Sequence, residues 1–308
     1  MKVAIVGAGL IGQAWAIVFA RGGCDVSLWD GDPAALARAT PLIGELARLL
    51  QDRQLIGDAA AVQARITTAA SLEAALDGAA YVQENLPERL DVKQQIFTRL
   101  DALAAPDTVL ASSSSSIPAS KFTESLPGRA RCLIAHPVNP PYLVPVVEVC
   151  GAPWTAPAAL DATARLMREM GQKPVQVRHE IEGFVLNRLQ GALLREAFRL
   201  VEQGCISAED LDVTVKDGLG LRWSFMGPFE TIDLNAPDGI RDYCQRYGAL
   251  FASIAREQAD TRPWTASVID ILETQRRTQL PQDQLAARRL WRDERLMGLA
   301  LHRQQQEH

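Results

Sequence analysis

KVAIVGAGLIGQAWAIVFARGG, the stretch at residues 2–23, decides the fold of this chain. Its residues 3–6 form a continuous apolar run, which is typical of a strand buried on both faces of a parallel sheet. Three glycines follow with the spacing GxGxxG, namely Gly7, Gly9 and Gly12. The first permits a tight turn, the second lets the backbone approach a pyrophosphate, and the third lets the next helix pack closely on the strand. The stretch therefore predicts a strand, a phosphate-binding turn and a helix.

A second predicted strand supplies the carboxylate that such a turn requires for binding a dinucleotide. DVSLWD ends at Asp30, eighteen residues after Gly12. A carboxylate there accepts hydrogen bonds from the adenosine ribose hydroxyls and repels the extra phosphate of NADP. The residues directly after it add Asp32 and no arginine. We therefore expect NAD as the cofactor, with its pyrophosphate on the free N–H groups of Leu10 and Ile11 at the start of the helix.

The rest of the first half alternates strand-like and helix-like segments. Residues 33–76 are rich in alanine and leucine and predict two helices. The later predicted strands are AAYVQENLPE, TVLASSSSS, ARCLIAHPVN, LVPVVEVC and KPVQVRHE, with the helical segment RLDVKQQIFTRLDALA after the first of them. This order predicts an α/β fold whose N-terminal domain is a Rossmann-type, doubly wound parallel sheet, with antiparallel strands allowed late in it.

The second half of the chain changes character at Gly183. GFVLNRLQGALLREAFRLVEQG predicts a long helix that ends at Gly204, and no convincing strand follows it. A capping pattern that begins at Ser207 opens the next helix. We expect an NAD-binding domain at 1–182 and an all-helical substrate and dimerisation domain at 183–308. Because a helix-rich domain of this size has apolar faces to cover, a homodimer is expected.

Composition narrows the range of partners. The net charge of −5 gives no reason to expect a nucleic acid or an anionic membrane, and no apolar run is long enough to span a bilayer. The five cysteines are scattered and show no CxxC spacing, so we expect neither a disulfide framework nor a metal site. The glycines that interrupt the first apolar run argue against a signal peptide. These features predict a cytoplasmic protein that binds small molecules.

An NAD enzyme that oxidises an alcohol needs a group that accepts the hydroxyl proton. A candidate lies in residues 134–149, IAHPVNPPYLVPVVEV. No tyrosine is followed four residues later by lysine, and the scattered cysteines offer no zinc site. Histidine is left, and His136 follows an apolar strand, where ligands gather in open α/β sheets. A hairpin-like return would place Glu148 of the next strand on its imidazole. The spacing fits equally well a core histidine whose partner is the backbone.

The same segment resembles a known family. AHPVNPPYLVPVVEV is similar to the HxxNP…E signature of the 3-hydroxyacyl-CoA dehydrogenase superfamily. GFVLNRLQGALLREAFRLVEQG, DGLGLRWSFMGPFETIDLNA and LAARRLWRDERLM resemble one branch of it, the lambda-crystallins that are L-gulonate 3-dehydrogenases. The resemblance runs over residues 3–297, nearly the whole chain.

The resemblance implies roles for particular residues. It implies that His136 is the catalytic base, that Glu148 is its partner, and that Asn187 contacts substrate and base. Ser115 matches the serine that binds the substrate oxygen, although only the alignment separates it from its neighbours in the run 112–116.

The resemblance also implies which residues bind the nicotinamide half of the cofactor. They are three further residues together with Ser115. Asn139 matches a cofactor-side asparagine, and Glu88 and Lys93 match residues that hold the nicotinamide half of NAD. Without the resemblance, Glu88 and Lys93 would be interpreted as an exposed ion pair at the start of a helix.

The function that the resemblance implies is NAD-dependent oxidation of the 3-hydroxyl of a small, L-gulonate-like 3-hydroxy acid. Arg222, in DGLGLRWSFMGP, is a candidate for binding the substrate carboxylate, unless it is a surface arginine packed on Trp223. A CoA thioester would need basic residues for its phosphates, yet no lysine occurs between Lys2 and Lys93. The arginines at 38–65 are nearly balanced by Glu45, Asp52 and Asp58. The alternatives are a 3-hydroxyacyl-CoA dehydrogenase, an L-carnitine dehydrogenase, and a structural, crystallin-like protein without activity.

Overall fold

The computed structural model describes residues 1–259 and 261–306. Eight strands form one sheet: β1 (Lys2–Val6), β2 (Asp25–Trp29), β3 (Ile66–Thr68), β4 (Tyr81–Glu84), β5 (Val109–Ser112), β6 (Cys132–Pro137), β7 (Val146–Gly151) and β8 (Lys173–Val177). The helices that accompany the sheet are α1 (Leu10–Arg21), α2 (Pro33–Asp52), α3 (Ala59–Ala64), α4 (Leu72–Leu76), α5 (Leu90–Leu103), α6 (Ser120–Thr123) and α7 (Pro157–Glu169).

The strand order is β3-β2-β1-β4-β5-β6-β7-β8, and all pairs from β3 to β6 are parallel. Strand β7 runs antiparallel to β6 and parallel to β8. The direction of winding reverses between β1 and β4, and in open α/β sheets such a switch point opens a ligand crevice at the carboxyl ends of the strands. The Rossmann-type doubly wound sheet with late antiparallel pairing is therefore confirmed.

The expectation of two helices between residues 33 and 76 was incomplete. The segment holds α2, α3 and α4, and the short edge strand β3 lies between the last two. Strand β3 has only three residues, and two of them are exposed, so no apolar alternation marks it in the sequence.

Two apolar clusters cover the faces of the sheet, because successive residues of β1 point to opposite sides. Val3 and Ile5 pack into the cluster that contains α1, where Trp15 stacks on Phe19 with ring centroids 5.4 Å apart. Ala4 and Val6 pack into the opposite cluster. Burial on both faces explains the unbroken apolar run.

The second half is helical, as predicted, and residues 178–259 and 261–306 contain no strand. Its helices are α8 (Leu186–Glu202), α9 (Ala208–Val213), α10 (Gly220–Trp223), α11 (Pro228–Leu234), α12 (Gly239–Glu257), α13 (Ala266–Gln279) and α14 (Leu285–Gln306). Ser207 caps α9 by accepting a hydrogen bond from the Asp210 N–H. None of the described helices combines the length and the hydrophobicity needed to cross a membrane.

Two compact units make up the chain. The first comprises Met1–Arg188 together with residues from Leu290 onward, and the second comprises Leu189–Arg289. Met297 of α14 is fully buried in the core cluster of the first unit. The predicted domains, 1–182 and 183–308, remain a prediction, and the last two residues of the second lie outside the described residues.

Candidate active site

The glycine turn has the stereochemistry that a dinucleotide site needs. Gly7 has φ +99°, and a Cβ there would lie 2.9 Å from the Asn85 backbone. A Cβ on Gly12 would lie 1.8 Å from the Gly7 carbonyl oxygen, so any side chain would push α1 off the turn. A Cβ on Gly9 would meet no protein atom within 4 Å, so this part of the turn faces open space. The turn therefore keeps room for a pyrophosphate and fits NAD.

The first turn of α1 offers donors to that pyrophosphate. Gly9 is the N-cap, and no side chain caps the helix. The N–H groups at Leu10 and Ile11 therefore belong to the free donors of a helix start, where the helix dipole also favours an anion.

Asp30 directly follows β2 and lies beside the glycine turn. Its Oδ2 accepts a hydrogen bond from the Ala8 N–H at 2.7 Å, and its Oδ1 accepts one from the Asp32 N–H at 2.9 Å. The carboxylate thus braces the turn and remains partly exposed. A cation also lies near this carboxylate pair. On the surface, Arg38 Nη2 lies 3.4 Å from Asp32 Oδ2, although no arginine or lysine occurs among the residues directly after Asp30.

The serine run forms a loop held by Glu88. The Glu88 Oε1 atom accepts hydrogen bonds at 2.7–3.1 Å from the Ser114 and Ser116 hydroxyls and from three consecutive backbone N–H groups, those of Ser115, Ser116 and Ile117. Burial alone would raise the pKa of Glu88, but these hydrogen bonds and Lys93 hold it below its ordinary value. Glu88 is therefore an ionised carboxylate seated in a nest of donors.

The five serine hydroxyls differ in their partners. Those of Ser112, Ser113, Ser114 and Ser116 donate to Glu84, Asn85 or Glu88. Among the residues that the structure describes, no protein group accepts from or donates to the Ser115 hydroxyl, so this hydroxyl differs from its four neighbours; its assignment to the substrate stays a prediction. The Asn187 Nδ2 donates to the Ser115 carbonyl oxygen at 2.9 Å, so the loop is held from both sides.

Lys93 does not form the exposed ion pair that its spacing from Glu88 suggested. Its side chain is 1% exposed, and its Nζ lies 2.9 Å from both carboxylate oxygens of Glu84 and 4.0 Å from Glu88. It also donates to the Leu86 carbonyl at 2.9 Å. Burial raises the pKa of Glu84, against the lowering effect of Lys93 and of the Ser112 hydroxyl. Sequence reasoning missed Glu84, although its place at the end of a predicted strand was a usable signal.

His136 and Glu148 are direct partners in the antiparallel register of β6 and β7. The His136 Nδ1 lies 2.9 Å from Glu148 Oε2, and both residues are buried. The predicted hairpin-like return thus exists, and the four prolines of residues 137–145 lie in or beside the connection that makes it. The Phe184 ring lies against the imidazole, with centroids 5.8 Å apart.

The second oxygen of Glu148 is also bound. Its Oε1 accepts hydrogen bonds from the Val185 N–H at 2.8 Å and the Leu186 N–H at 2.9 Å, at the start of α8. Burial would raise the pKa of Glu148, but the hydrogen bonds from His136, Leu186 and Val185 hold it below its ordinary value. The carboxylate is therefore charged and fixed, which is what the partner of a catalytic histidine requires.

The remaining predicted residues take no part in the hydrogen bonds described above. Asn139 follows β6 and is exposed, and Arg222 is an exposed residue of α10 in the second unit. The structure links Asn187 to Ser115, whereas the resemblance implied a contact with the base. Of the other histidines, His179 follows β8 and His302 lies in α14, and His308 is outside the described residues. Among the described residues, no cluster of His, Cys, Asp or Glu forms a metal site.

Comparison with known proteins gives the family. Residues 2–181 match the 3-hydroxyacyl-CoA dehydrogenase NAD binding domain, and residues 183–280 match the 3-hydroxyacyl-CoA dehydrogenase C-terminal domain. The chain is 43% identical to lambda-crystallin of Oryctolagus cuniculus over 99% of this chain and 97% of that protein. It is 39% identical to an L-carnitine dehydrogenase of a Pseudomonas species over 80% of this chain and 76% of that protein.

A solved structure extends the match to three dimensions. A 5-formyl-3-hydroxy-2-methylpyridine 4-carboxylic acid 5-dehydrogenase, an NAD+-dependent dismutase, superimposes with a TM-score of 0.82 at 30% identity, over 99% of this chain and 98% of that one. The family model of the NAD binding domain and this NAD+-dependent structure agree with the glycine turn in making NAD the cofactor. The chain belongs to the 3-hydroxyacyl-CoA dehydrogenase family and is an NAD-dependent hydroxy-acid dehydrogenase.

Proposed function

We propose that this enzyme oxidises the 3-hydroxyl of a small, L-gulonate-like 3-hydroxy acid to the 3-keto acid. The observation that carries the proposal is the buried His136–Glu148 pair, 2.9 Å apart, on the strand next to the serine loop. An imidazole held by a charged carboxylate is suited to accept a proton from an alcohol.

The tautomer follows from the contacts. Because Nδ1 of His136 is engaged by Glu148, Nε2 is the nitrogen left to take the hydroxyl proton. The Glu148 carboxylate then stabilises the imidazolium that forms. NAD, held by the glycine turn and Asp30, would supply the acceptor for the hydride of C3. The Ser115 hydroxyl, free of protein partners among the described residues, would donate to the developing carbonyl oxygen, and Asn187 would hold the backbone of Ser115 in place.

The cofactor would be held at two places. Gly7, Gly9 and Gly12 with the N–H groups of Leu10 and Ile11 would bind the pyrophosphate, and Asp30 would bind the adenosine ribose. The nicotinamide half would lie near Asn139, Glu88, Lys93 and Ser115, as the family resemblance implies. Glu88 acts there through the serine loop, because its Oε1 is fully occupied by donors from that loop.

Arg222 would bind the free carboxylate of the substrate. A guanidinium matches a carboxylate with two parallel hydrogen bonds, and Arg222 is exposed rather than engaged in the core. A π-helical turn, Thr214–Leu219, comes directly before α10, the helix that contains Arg222, and such turns are frequent at functional sites.

L-Carnitine is the second candidate substrate. It is itself a small 3-hydroxy acid, and the relative that is 39% identical carries the name L-carnitine dehydrogenase. Its quaternary ammonium would need aromatic rings or carboxylates near the substrate, whereas gulonate would need hydrogen-bond donors and acceptors for its hydroxyls. A CoA thioester fits less well, because no lysine lies between Lys2 and Lys93 and the arginines at 38–65 are nearly balanced by carboxylates.

We further propose that the enzyme is a cytoplasmic homodimer. The second unit buries few side chains and exposes large apolar ones, including Phe225 at 71%, Phe229 at 74% and Leu234 at 69%. A second copy would cover such surfaces. All five cysteines are free thiols, which suits a reducing compartment. Sedimentation that shows only monomer at micromolar concentration would contradict the dimer.

A substrate panel tests the proposed function. NADH formation would be followed with L-gulonate, L-carnitine, 3-hydroxybutyrate and 3-hydroxybutyryl-CoA under identical conditions. We expect the largest kcat/KM for a free polar 3-hydroxy acid. A kcat/KM for the CoA thioester far above that of every free acid would refute the proposal.

A further inference from the structure

The anchor of the Glu148 carboxylate is made of backbone, not of side chains. Its Oε1 accepts from two consecutive N–H groups, those of Val185 and Leu186, at 2.8 and 2.9 Å. Leu186 is the first residue of the 17-residue helix α8. The free N–H groups of a helix start carry a partial positive charge, so they both orient and stabilise a carboxylate.

A turn of unusual conformation aims these N–H groups. Gly183 has φ +74° and Phe184 has φ +48°, so two consecutive residues adopt the left-handed region. The two N–H groups that bind Glu148 follow directly after this turn, so its conformation sets their direction. A phenylalanine in this region is strained, and such strain persists only where the surroundings enforce it.

Packing of the Phe184 side chain holds the turn in its left-handed conformation. Its ring is fully buried in the apolar cluster on one face of the sheet, and it also lies against the imidazole of His136. The ring therefore fixes the turn, the turn fixes the two N–H groups, and these fix Glu148.

We propose that the Gly183–Phe184 turn is a positioning element for the reaction, which holds Glu148 against His136 through the Val185 and Leu186 N–H groups. This inference rests on the proposed role of His136 as the base. It assigns a kinetic function to a segment that acts through the Glu148 carboxylate. The element acts on turnover and leaves binding of NAD untouched.

A matched pair of substitutions at Leu186 isolates one N–H group. Leu186→Pro removes the N–H at the first position of a helix, where proline is tolerated, and Leu186→Ala removes the same side chain but keeps the N–H. We expect kcat of the proline variant to be about 10–100-fold below that of the alanine variant, with KM and the Kd for NAD within about twofold. Equal kcat values for the two variants would overturn the proposal.

Gly183 provides a second, independent test. A Cβ there would meet Asn187 at 3.5 Å, an ordinary contact, so Gly183→Ala perturbs chiefly the backbone conformation. We expect Gly183→Ala to lower kcat and Gly183→Asn, which tolerates this conformation, to restore most of it. Gly171→Ala is the matched control, because Gly171 also has φ +74° and open space around it. If both alanine variants lose the same kcat, general strain explains the loss and the proposal is wrong.

A measurement without turnover separates this inference from the proposed function. In Glu148→Ala, hydrogen exchange of the Val185 and Leu186 amides should accelerate by about 10–100-fold, because their charged acceptor is gone. The Val268 amide, which the Thr265 hydroxyl caps in α13, should exchange at its wild-type rate. Unchanged exchange at Val185 and Leu186 would overturn the inference, even if the enzyme oxidises 3-hydroxy acids. Absent turnover with every substrate would instead refute the proposed function.

Discussion

Replacing Glu148 by glutamine should damage catalysis more than replacing it by alanine. In Glu148→Gln, the N–H groups of Val185 and Leu186 would bind the amide oxygen, because they bind Oε1 in the wild type. The amide NH₂ would then face Nδ1 of His136 and donate to it. That hydrogen bond selects the tautomer with its proton on Nε2, which cannot accept a proton from the substrate.

The magnitude follows from the geometry of the pair. With Nδ1 and Oε2 at 2.9 Å, the two charge centres are about 4 Å apart. At an effective dielectric constant of about 20, their attraction is about 4 kcal/mol, so losing it slows turnover by about 10²–10³-fold. Both substitutions lose this charge, but glutamine also imposes the wrong tautomer. Breaking that additional hydrogen bond costs about 1 kcal/mol, so we expect about 10³–10⁴-fold for glutamine.

Steady-state or stopped-flow kinetics of both variants check whether kcat is lower for glutamine than for alanine. Calorimetry gives the Kd for NAD of each variant. Glu169→Gln is the control, because Glu169 is an exposed glutamate at the end of α7. NAD affinity should be the same in all four proteins. If the glutamine variant turns over faster than the alanine variant, the backbone does not dictate the amide orientation, and the reasoning fails.

Three further predictions follow from the same structure. NAD should bind about 100-fold more tightly than NADP, because Asp30 and Asp32 repel the ribose phosphate, and calorimetry showing equal or tighter NADP binding would refute this. Arg222→Met should raise KM for the free acid by about 10–100-fold and leave the Kd for NAD unchanged, and an unchanged KM would remove Arg222 from the substrate site. Because the folded protein lowers the pKa of Glu148, its contribution to stability is complete above the ordinary value of 4.5 and is lost as the pH falls below it. Urea denaturation at pH 7 and pH 4 should therefore show the stability gap between wild type and Glu148→Gln narrowing at the lower pH, and a constant gap would contradict this.

Much of the fold could be predicted from the sequence, because the hydrophobic periodicity and the glycines between elements indicate where strands and helices lie. The unbroken apolar run at residues 3–6 and the three glycines after it predict a buried parallel strand and a phosphate turn, and both are present. Strand β3 was missed, because a three-residue edge strand with one partly buried side chain leaves no periodic signal. The pairing of His136 with Glu148 could be anticipated, because twelve residues with a proline-rich centre suit a return strand.

The surroundings of the site could not be predicted in the same way. The N–H groups of Val185 and Leu186 have no signature in side-chain identity, since every residue except proline carries one. The contact of Lys93 with Glu84 could not be predicted, because the spacing on the chain points to Glu88 while the sheet brings Glu84 closer. The five serines are chemically identical in sequence, and only the tertiary hydrogen bonds distinguish Ser115 from the other four.

The role of His136 is most directly tested by the substitution His136→Asn, assayed with the best substrate of the panel. Asparagine keeps a polar side chain of similar size but cannot serve as a base near neutral pH. We predict that kcat falls by about 10²–10⁴-fold while the Kd for NAD, measured by calorimetry on the same preparation, stays within about twofold. A variant that binds NAD normally and retains the wild-type kcat would show that His136 is not the base.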